Sequence, residues 1–556
     1  MLLSILEVFL TLLVLSECSS YNYEVHTSQG TVKGDFYKNG ELNYNHFTGI
    51  PYAETPIGTK RFVKPQEKNF GYINSKKDPN KCMQASSAIS PGTGSEDCLY
   101  LSVFTPSVPT SEKHKRLGNQ KYPVMVWFHD GNFSTGSGDY GDYWPDYLVN
   151  KKVVVVTVNF RLGAFGFLSF SDKVVPGNMG LKDQVQALKW VNKEIENFGG
   201  DRTKITVFGS GSGAASIHYL ILCESCRSLF HRAILQSGSA HNPWALQRQP
   251  VEEAQKLLEK VKINKFEKKQ TNIYLALLQG RNDGDYSSGA LLRSTIEITN
   301  KEDKMRNLSP FLPVVENGRS SDGIVKKPIE ESTKDLTKLS KSLQVIIGFN
   351  KDEGMNFATE NVPVIQYTND MLDLFLPTDI KTNKDKCRGL LNKVYFDNYH
   401  SGDQKKAQFV NMVGDAHYIY GIYKTAKEFA DAGIATYFYR FSYEDKHYRT
   451  SSYKNLHGVP HGAEYKYLFK PRVGYFGTES DQLNQKDKKV QKKLLTMWKS
   501  FAENGNPTPA KSPVEWKKLG KVETSYLDIG ETLTMKTMDE QSRMDTWDKI
   551  MAECKN

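Results

Sequence analysis

The stretch "ITVFGSGSGAASIHYL", residues 205–220, decides how the rest of the chain is read. An apolar run from Ile205 to Phe208 meets glycines at 209, 211 and 213, followed by small residues that can open a helix. Strand, sharp glycine turn and helix is the layout of a nucleophile elbow, G-x-S-x-G. Its middle serine is held above a sheet on a strained turn. Here the middle position is Gly211, and the serines are its neighbours, Ser210 and Ser212. Three readings are open: the nucleophile is lost, it has moved by one residue, or it was never there.

The flanking sequence supplies the strands and helices that an elbow needs. "YPVMVWFH" (122–129) and "KVVVVTVNF" (152–160) are short β-rich runs, and both predict buried strands of a mostly parallel sheet. "GLKDQVQALKWVNKEIENFGG" (180–200) carries Val185, Leu188, Val191 and Ile195 at helical spacing. It predicts an amphipathic helix stopped by Gly199 and Gly200. Further strands are expected at 343–349 and 435–443, and a helix at 490–505. This alternation predicts an α/β fold with a large, mostly parallel twisted sheet flanked by helices. No Pro/Gly/Ser-rich linker divides the 556 residues, so residues 21–556 read as one domain.

Residues 1–20 are apolar from Leu2 to Leu15, with few interruptions, and end in small residues at Ser19 and Ser20. They read as a secretory signal peptide, with a membrane anchor as the alternative. The run is short for a span, and no later apolar stretch reaches the roughly 20 residues a span needs, so no membrane anchor is expected. The formal charge is +10. That favours loose attraction to anionic glycans or membranes. The basic residues are dispersed, no nucleic-acid-binding module is visible, and no metal or cofactor is expected. Of the seven cysteines, Cys18 lies in the leader, and the remaining six are an even number. In a secreted chain that predicts disulfides.

Eight blocks in order then resemble the type-B carboxylesterases and cholinesterases of the α/β-hydrolase fold. They include "FTGIPYAETPIGTKRFVKP" (47–65), "SEDCLYLSVFTP" (95–106), "NFGGDRTKITVFG" (197–209), "GFNKDEG" (348–354) and "HGVPHGAEYKYLF" (457–469). The resemblance implies a serine, an acid and a histidine in that chain order. The acid falls on Glu353 and the histidine on His461. In a working triad the acid orients the imidazole, which takes the nucleophile's proton.

The nucleophile falls on Gly211 without a gap, with the displaced candidates Ser210 and Ser212 on either side. A hydroxyl moved by one residue points away from the histidine, and proton transfer needs contact near 3 Å. The family's glycine-rich oxyanion stretch is altered as well. It reads His129-Asp130-Gly131-Asn132-Phe133. Gly131, Asn132 and Ser212 are the oxyanion-hole equivalents. An inward carboxylate at Asp130 would oppose developing negative charge. Loss of a nucleophile costs about 10⁶ in turnover, and loss of one oxyanion donor about 10²–10³.

The resemblance also implies a disulfide between Cys82 and Cys98 and a structural ion pair between Arg61 and Glu96. It places Ser237 as a packing residue beneath the acid. The loop from 82 to 98 lacks the tryptophan that holds choline esters in cholinesterases. Cys223 and Cys226 read as a small local disulfide or a redox pair, with structural pairing favoured because no thioredoxin-like context surrounds them. Cys387 and Cys554 can pair with each other or between chains. Asn307 is the expected glycosylation site, and the sequon at Asn132 is expected to be unmodified. Two functional expectations follow. One is a secreted family member deficient in serine-ester chemistry, acting on a small apolar ligand in a gorge or on an anionic glycan or protein partner. The other is an active secreted esterase of lipophilic esters such as xenobiotics, hormones or odorants.

Overall fold

The computed structural model describes residues 23–554, except 86–91, 110–119, 264–265, 281–285, 317–321, 339–341, 359–368, 378–379, 381–382, 446–456 and 471–482. The expected signal peptide, 1–20, lies outside the described residues.

Fourteen strands are described. β1 (Glu24–Thr27), β2 (Gly30–Lys33) and β5 (Tyr72–Asn74) form a small sheet. The other eleven form the large one: β3 (Asp35–Asn39), β4 (Leu42–Pro51), β6 (Tyr100–Thr105), β7 (Tyr122–Phe128), β8 (Val154–Val158), β9 (Gly200–Ser210), β10 (Arg232–Gln236), β11 (Gln344–Asn350), β12 (Ala435–Phe441), β13 (Ser525–Ile529) and β14 (Leu533–Thr537). They lie in the order β14-β13-β12-β11-β10-β9-β7-β8-β6-β4-β3. Pairing is parallel from β8 through β7 and β9 to β13, and antiparallel on both flanks. This is the large, mostly parallel α/β sheet that the strand and helix alternation predicts, in the α/β-hydrolase architecture that the resemblance implies.

The central strands are buried on both faces, so they read as continuous apolar runs rather than alternating ones. The period of two still sorts their side chains. Val124, Val126 and Phe128 of β7 enter one core layer with Val154, Val156, Ile205, Val207, Val345 and Ile347. Met125 and Trp127 enter the other layer with Val155, Phe208 and Ile346. The helices α1 (Met179–Glu194) and α2 (Ser212–Leu222) cover the first face through residues such as Leu181, Trp190, Ile217 and Leu220.

The other helices used below are α3 (Ser288–Ile298), α4 (Lys384–Tyr395), α5 (Gly402–Gly414), α6 (Tyr420–Asp431), α7 (Gln485–Asn504) and α8 (Gln541–Glu553). α7 packs on the second face through Leu494, Met497, Trp498 and Phe501.

Two expected boundaries shift. The helix expected over 180–200 is α1 up to Glu194. A 3₁₀ turn, Ile195–Phe198, follows and stops at Gly199 with φ +83°. α7 starts five residues before the expected 490. Asn484 accepts from the N–H groups of Lys486 and Asp487, and Asp487 accepts from the Asn484 N–H. This capping box satisfies donors in a charged first turn, before the apolar period begins at Val490.

All six cysteines among the described residues are paired: Cys82–Cys98, Cys223–Cys226 and Cys387–Cys554. The third pairing, left open between intrachain and interchain, is within the chain and joins α4 to the end of α8. Arg61 and Glu96 form a buried bidentate pair at 2.5–2.6 Å.

Candidate active site

The site assembles where the parallel strands end. β9 runs to Ser210, Gly211 turns with φ +50° and ψ −118°, and α2 starts at Ser212. A positive φ there suits glycine and strains any other residue. The flanking glycines answer to space. A Cβ on Gly209 would stand 2.6 Å from the Phe128 carbonyl oxygen, and one on Gly213 would overlap the same carbonyl. The turn is therefore wedged against the end of β7, whose Phe128 pairs with Gly209.

The chain leaving β7 supplies the next residues. His129 is buried and stacks on Phe160 at 4.4 Å between ring centres. Gly131 has φ +128°, and Asn132 and Phe133 have φ +55° and +57°. Ser134 and Thr135 donate their N–H groups back to the Gly131 carbonyl, which closes the loop. This tight turn carries Asp130 over the elbow.

Glu353 opens the 3₁₀ turn after β11 and is fully buried. Its Oε1 accepts from the Asn350 N–H at 2.7 Å, and its Oε2 lies 2.7 Å from His461 Nδ1. The His461 loop is held by Asn350, which donates to the Pro460 carbonyl, and by Tyr418, whose ring lies 4.5 Å from the imidazole. The structure thus brings together Glu353, His461 and the elbow at Gly211.

In a serine enzyme, Nε2 of such a histidine faces a hydroxyl. Here it faces a carboxylate. His461 Nε2 lies 2.8 Å from Asp130 Oδ2, and the Ser212 N–H donates to Asp130 Oδ1 at 2.9 Å. The Ser212 hydroxyl donates to the same Oδ1 at 3.2 Å, and the Tyr465 hydroxyl to Oδ2 at 3.4 Å. A Cβ placed on Gly211 would overlap this carboxyl group, standing 2.5 Å from its Oδ2. Asp130 occupies the space that a side chain at position 211 would need. The inward carboxylate foreseen as a hindrance to negative charge is also the group that fills the vacated place.

The electrostatics follow from this arrangement. Burial alone would raise the Asp130 carboxyl. Its hydrogen bond and charge contact with His461, with the N–H groups of Ser212 and Gly131, outweigh burial and hold it well below the usual carboxylate range. Burial opposes charge on His461. Tyr418, Glu353 and Asp130 around the ring raise its pKa well above the ordinary imidazole value. A carboxylate oxygen at each nitrogen, with the raised pKa, favours the imidazolium, in which both ring nitrogens donate. An imidazolium has no ring nitrogen free to accept a proton.

The other expected residues are placed as follows. Ser210 is fully buried beside Tyr465. The Ser212 hydroxyl points at Asp130, and both His461 nitrogens are engaged elsewhere. Asn132 donates through Nδ2 to the Asn307 carbonyl, so it braces the far wall. Asn307 itself is exposed and lines the cavity in front of the site. Ser237 is buried with φ +52°. Among the described residues, no group of three or more His, Cys, Asp or Glu side chains is arranged to hold a metal.

The cavity has a volume of about 350 Å³. Asp130, Gly211 and His461 lie on its sheet side. Leu162, Phe165, Trp244, Leu292, Ile296 and Phe357 supply apolar walls. Trp244 and His417 were not singled out from sequence. No motif marks them, and they enter only through the packing of the loop after β10 against the segment between α5 and α6.

Fold and site together are those of an α/β-hydrolase of the carboxylesterase type. The chain matches the model of the carboxylesterase family over residues 22–547 and belongs to that family. It is 32% identical over 537 residues to a juvenile hormone esterase of Tribolium castaneum, covering 89% of this chain and 85% of that protein. It is 30% identical to the bile salt-activated lipase of Mus musculus, over 97% of this chain and 89% of the lipase. It is also 30% identical to carboxylesterase 5A of Homo sapiens, over 90% and 84% of the two chains.

Proposed function

We propose that this carboxylesterase-family protein does not hydrolyse esters through a serine, and that it acts outside the cell by binding a small apolar ligand in its cavity. One observation carries the reading. The Asp130 carboxylate lies where the nucleophile's side chain would stand, bonded to the Ser212 N–H that would otherwise receive an oxyanion and to the histidine that would otherwise act as base. The missing hydroxyl, the filled oxyanion position and the protonated ring each remove a separate requirement of acyl transfer.

Binding is supported by the cavity, which keeps apolar walls and a volume in the range of small-molecule sites. Its relatives bear the names of esterases and a lipase, which fits apolar ligands of ester size. A place outside the cell is supported by three disulfides in one chain. No helix among the described residues is long and apolar enough to cross a membrane. The formal charge of +10 supports weak association with anionic glycans.

The test is chemical. The full chain is incubated with a fluorophosphonate probe and, separately, with a short-chain nitrophenyl ester. The reading predicts no labelling and no turnover above an unrelated folded protein. Stoichiometric labelling at Ser210, Ser212 or any other serine with ester turnover would make it an enzyme and end this reading.

A further inference from the structure

The centre of the helix Thr271–Gly280 is "IYLALL" (273–278), an unbroken run of apolar residues. A helix that is apolar all round is ordinarily buried all round. This one is buried on one side only. Thr271, Tyr274 and Leu278 are buried, and the Tyr274 ring packs on Phe170 and Phe266, with ring centres 6.2 and 5.6 Å away. Ile273 and Leu277, one turn apart, are 57% and 37% exposed. Ala276 and Gly280 are exposed as well. Residues 273, 276, 277 and 280 share one side of a helix, so the outward face is an apolar ridge.

Cations border this ridge. The 3₁₀ turn Lys268–Gln270 leads straight into the helix, and Lys268 and Lys269 on it are exposed and make no ion pair. Lys269 precedes Ile273 by four residues and so extends the same side. From 263 to 280 the sequence holds three lysines and one acid, Glu267, which accepts from Gln270 at 2.6 Å. The other end of the helix is tied to the cavity wall. Gln279 donates to the carbonyls of Thr59 and Arg61 at 3.0 and 2.8 Å, and Arg61 donates to the Leu278 carbonyl at 2.6 Å. The Arg61 guanidinium lies 6.0 Å from the ring centre of Phe165, which lines the cavity.

We propose that the helix Thr271–Gly280 docks the protein on a lipid surface with anionic headgroups, with Ile273 and Leu277 entering the acyl boundary and Lys268 and Lys269 meeting the headgroup phosphates. An apolar ridge edged by unpaired lysines is the layout of an interfacial helix. The charge decides between lipid and a second copy of this chain. Two copies joined face to face by a two-fold axis would bring four unpaired lysines together, on chains of formal charge +10 each. An anionic surface instead attracts every one of them. Docking is independent of the chemistry at the elbow and of what the cavity holds. It brings the Phe165 wall close to a store of apolar molecules.

The experiment is co-sedimentation of the full chain with two kinds of vesicle, phosphatidylcholine alone and phosphatidylcholine with phosphatidylserine at about 7:3. Partition onto the anionic vesicles is expected to be at least about tenfold stronger and to weaken in high salt. Ile273→Ser with Leu277→Ser should lower it by about tenfold. Lys268→Ala with Lys269→Ala should lower it by about fivefold for each lysine removed. Val522→Ser, at an apolar side chain 98% exposed elsewhere, should leave it unchanged. Hydrogen exchange on the unmodified chain should show anionic vesicles protecting residues 271–280, which decides the matter even where a variant does not accumulate. No partition onto anionic vesicles overturns the proposal. So does equal partition onto both kinds, partition that survives both double variants, a loss in Val522→Ser as large as theirs, or protection that spares 271–280. A dimer by light scattering that the Ile273 and Leu277 substitutions abolish, without vesicle binding, assigns the ridge to a second copy and overturns it as well.

Discussion

At the scale of single residues, positions 130 and 211 have changed in complementary senses. A carboxylate stands where the family resemblance calls for glycine, and a glycine stands where it calls for serine. Each change makes the other tolerable, because a Cβ at 211 and the Asp130 carboxyl compete for one space. Gly211→Ser alone is therefore expected to fail as a repair. It should lower stability by about 1–3 kcal/mol from backbone strain, with a further loss from the overlap, seen as a lower thermal midpoint and no gain of labelling. The Asp130–His461 pair also sets a pH dependence. Asp130 is depressed, so its contribution is present above the unfolded carboxyl value near 3.9 and is lost as pH falls toward the folded one. His461 is raised, so its contribution is full below about 6.5 and declines as pH rises from there through the folded value. The stability lost in Asp130→Asn should accordingly be largest near pH 5–6 and should shrink in alkaline buffer. Denaturant titrations across that range check it, and a difference that grows with alkaline pH would contradict it. Gly211 at the elbow's middle position and Asp130 in the glycine-rich stretch were legible in the sequence. That one carboxylate fills the other's place was not, because Asp130 precedes Ser212 by 82 residues and meets the elbow only in the folded chain.

At the scale of elements, β7, β8, β9, β11 and β12 and the helices α1 and α7 were legible because their apolar runs and periods are strong, whereas β10, β13 and β14 were not singled out. Their ends were less so. The polar first turns of α7 carry no apolar period, and the capping box at Asn484 and Asp487 marks its start instead. The Glu353 and His461 loops were placed through the family's motifs. Neither residue lies in a long periodic segment that local pattern could have fixed. Buried charge holds several elements in place. Arg161 and Asp183 tie the chain after β8 to α1 with bonds of 2.7 and 2.8 Å and almost no exposure. Removing one partner leaves the other charge buried, so Asp183→Asn is expected to cost about 3–5 kcal/mol in a denaturant melt. The Cys387–Cys554 bridge fastens α8 to α4 across 167 residues of sequence. Replacing both cysteines by serine should cost about 2–5 kcal/mol under oxidising conditions and nothing further on addition of a reductant that spares the other two bridges. An unchanged midpoint would show that α8 holds by packing alone.

At the scale of the whole molecule, one sheet runs without a break from β3 to β14, and one apolar layer includes residues from Val25 to Cys554. We propose that residues 23–554 fold as one unit. Scanning calorimetry should then show a single transition, and two separated transitions would contradict that. Among the described residues the elbow keeps its turn between β9 and α2 with Gly211 at its middle position. The most direct test is a cycle of four chains assayed with fluorophosphonate and a nitrophenyl ester: the unmodified protein, Gly211→Ser, Asp130→Gly, and the double variant. The account predicts labelling and turnover only in the double variant, where the carboxylate is gone, the hydroxyl is present, and His461, paired with Glu353 alone, can act as a base. Full activity in Gly211→Ser with Asp130 still in place would contradict it.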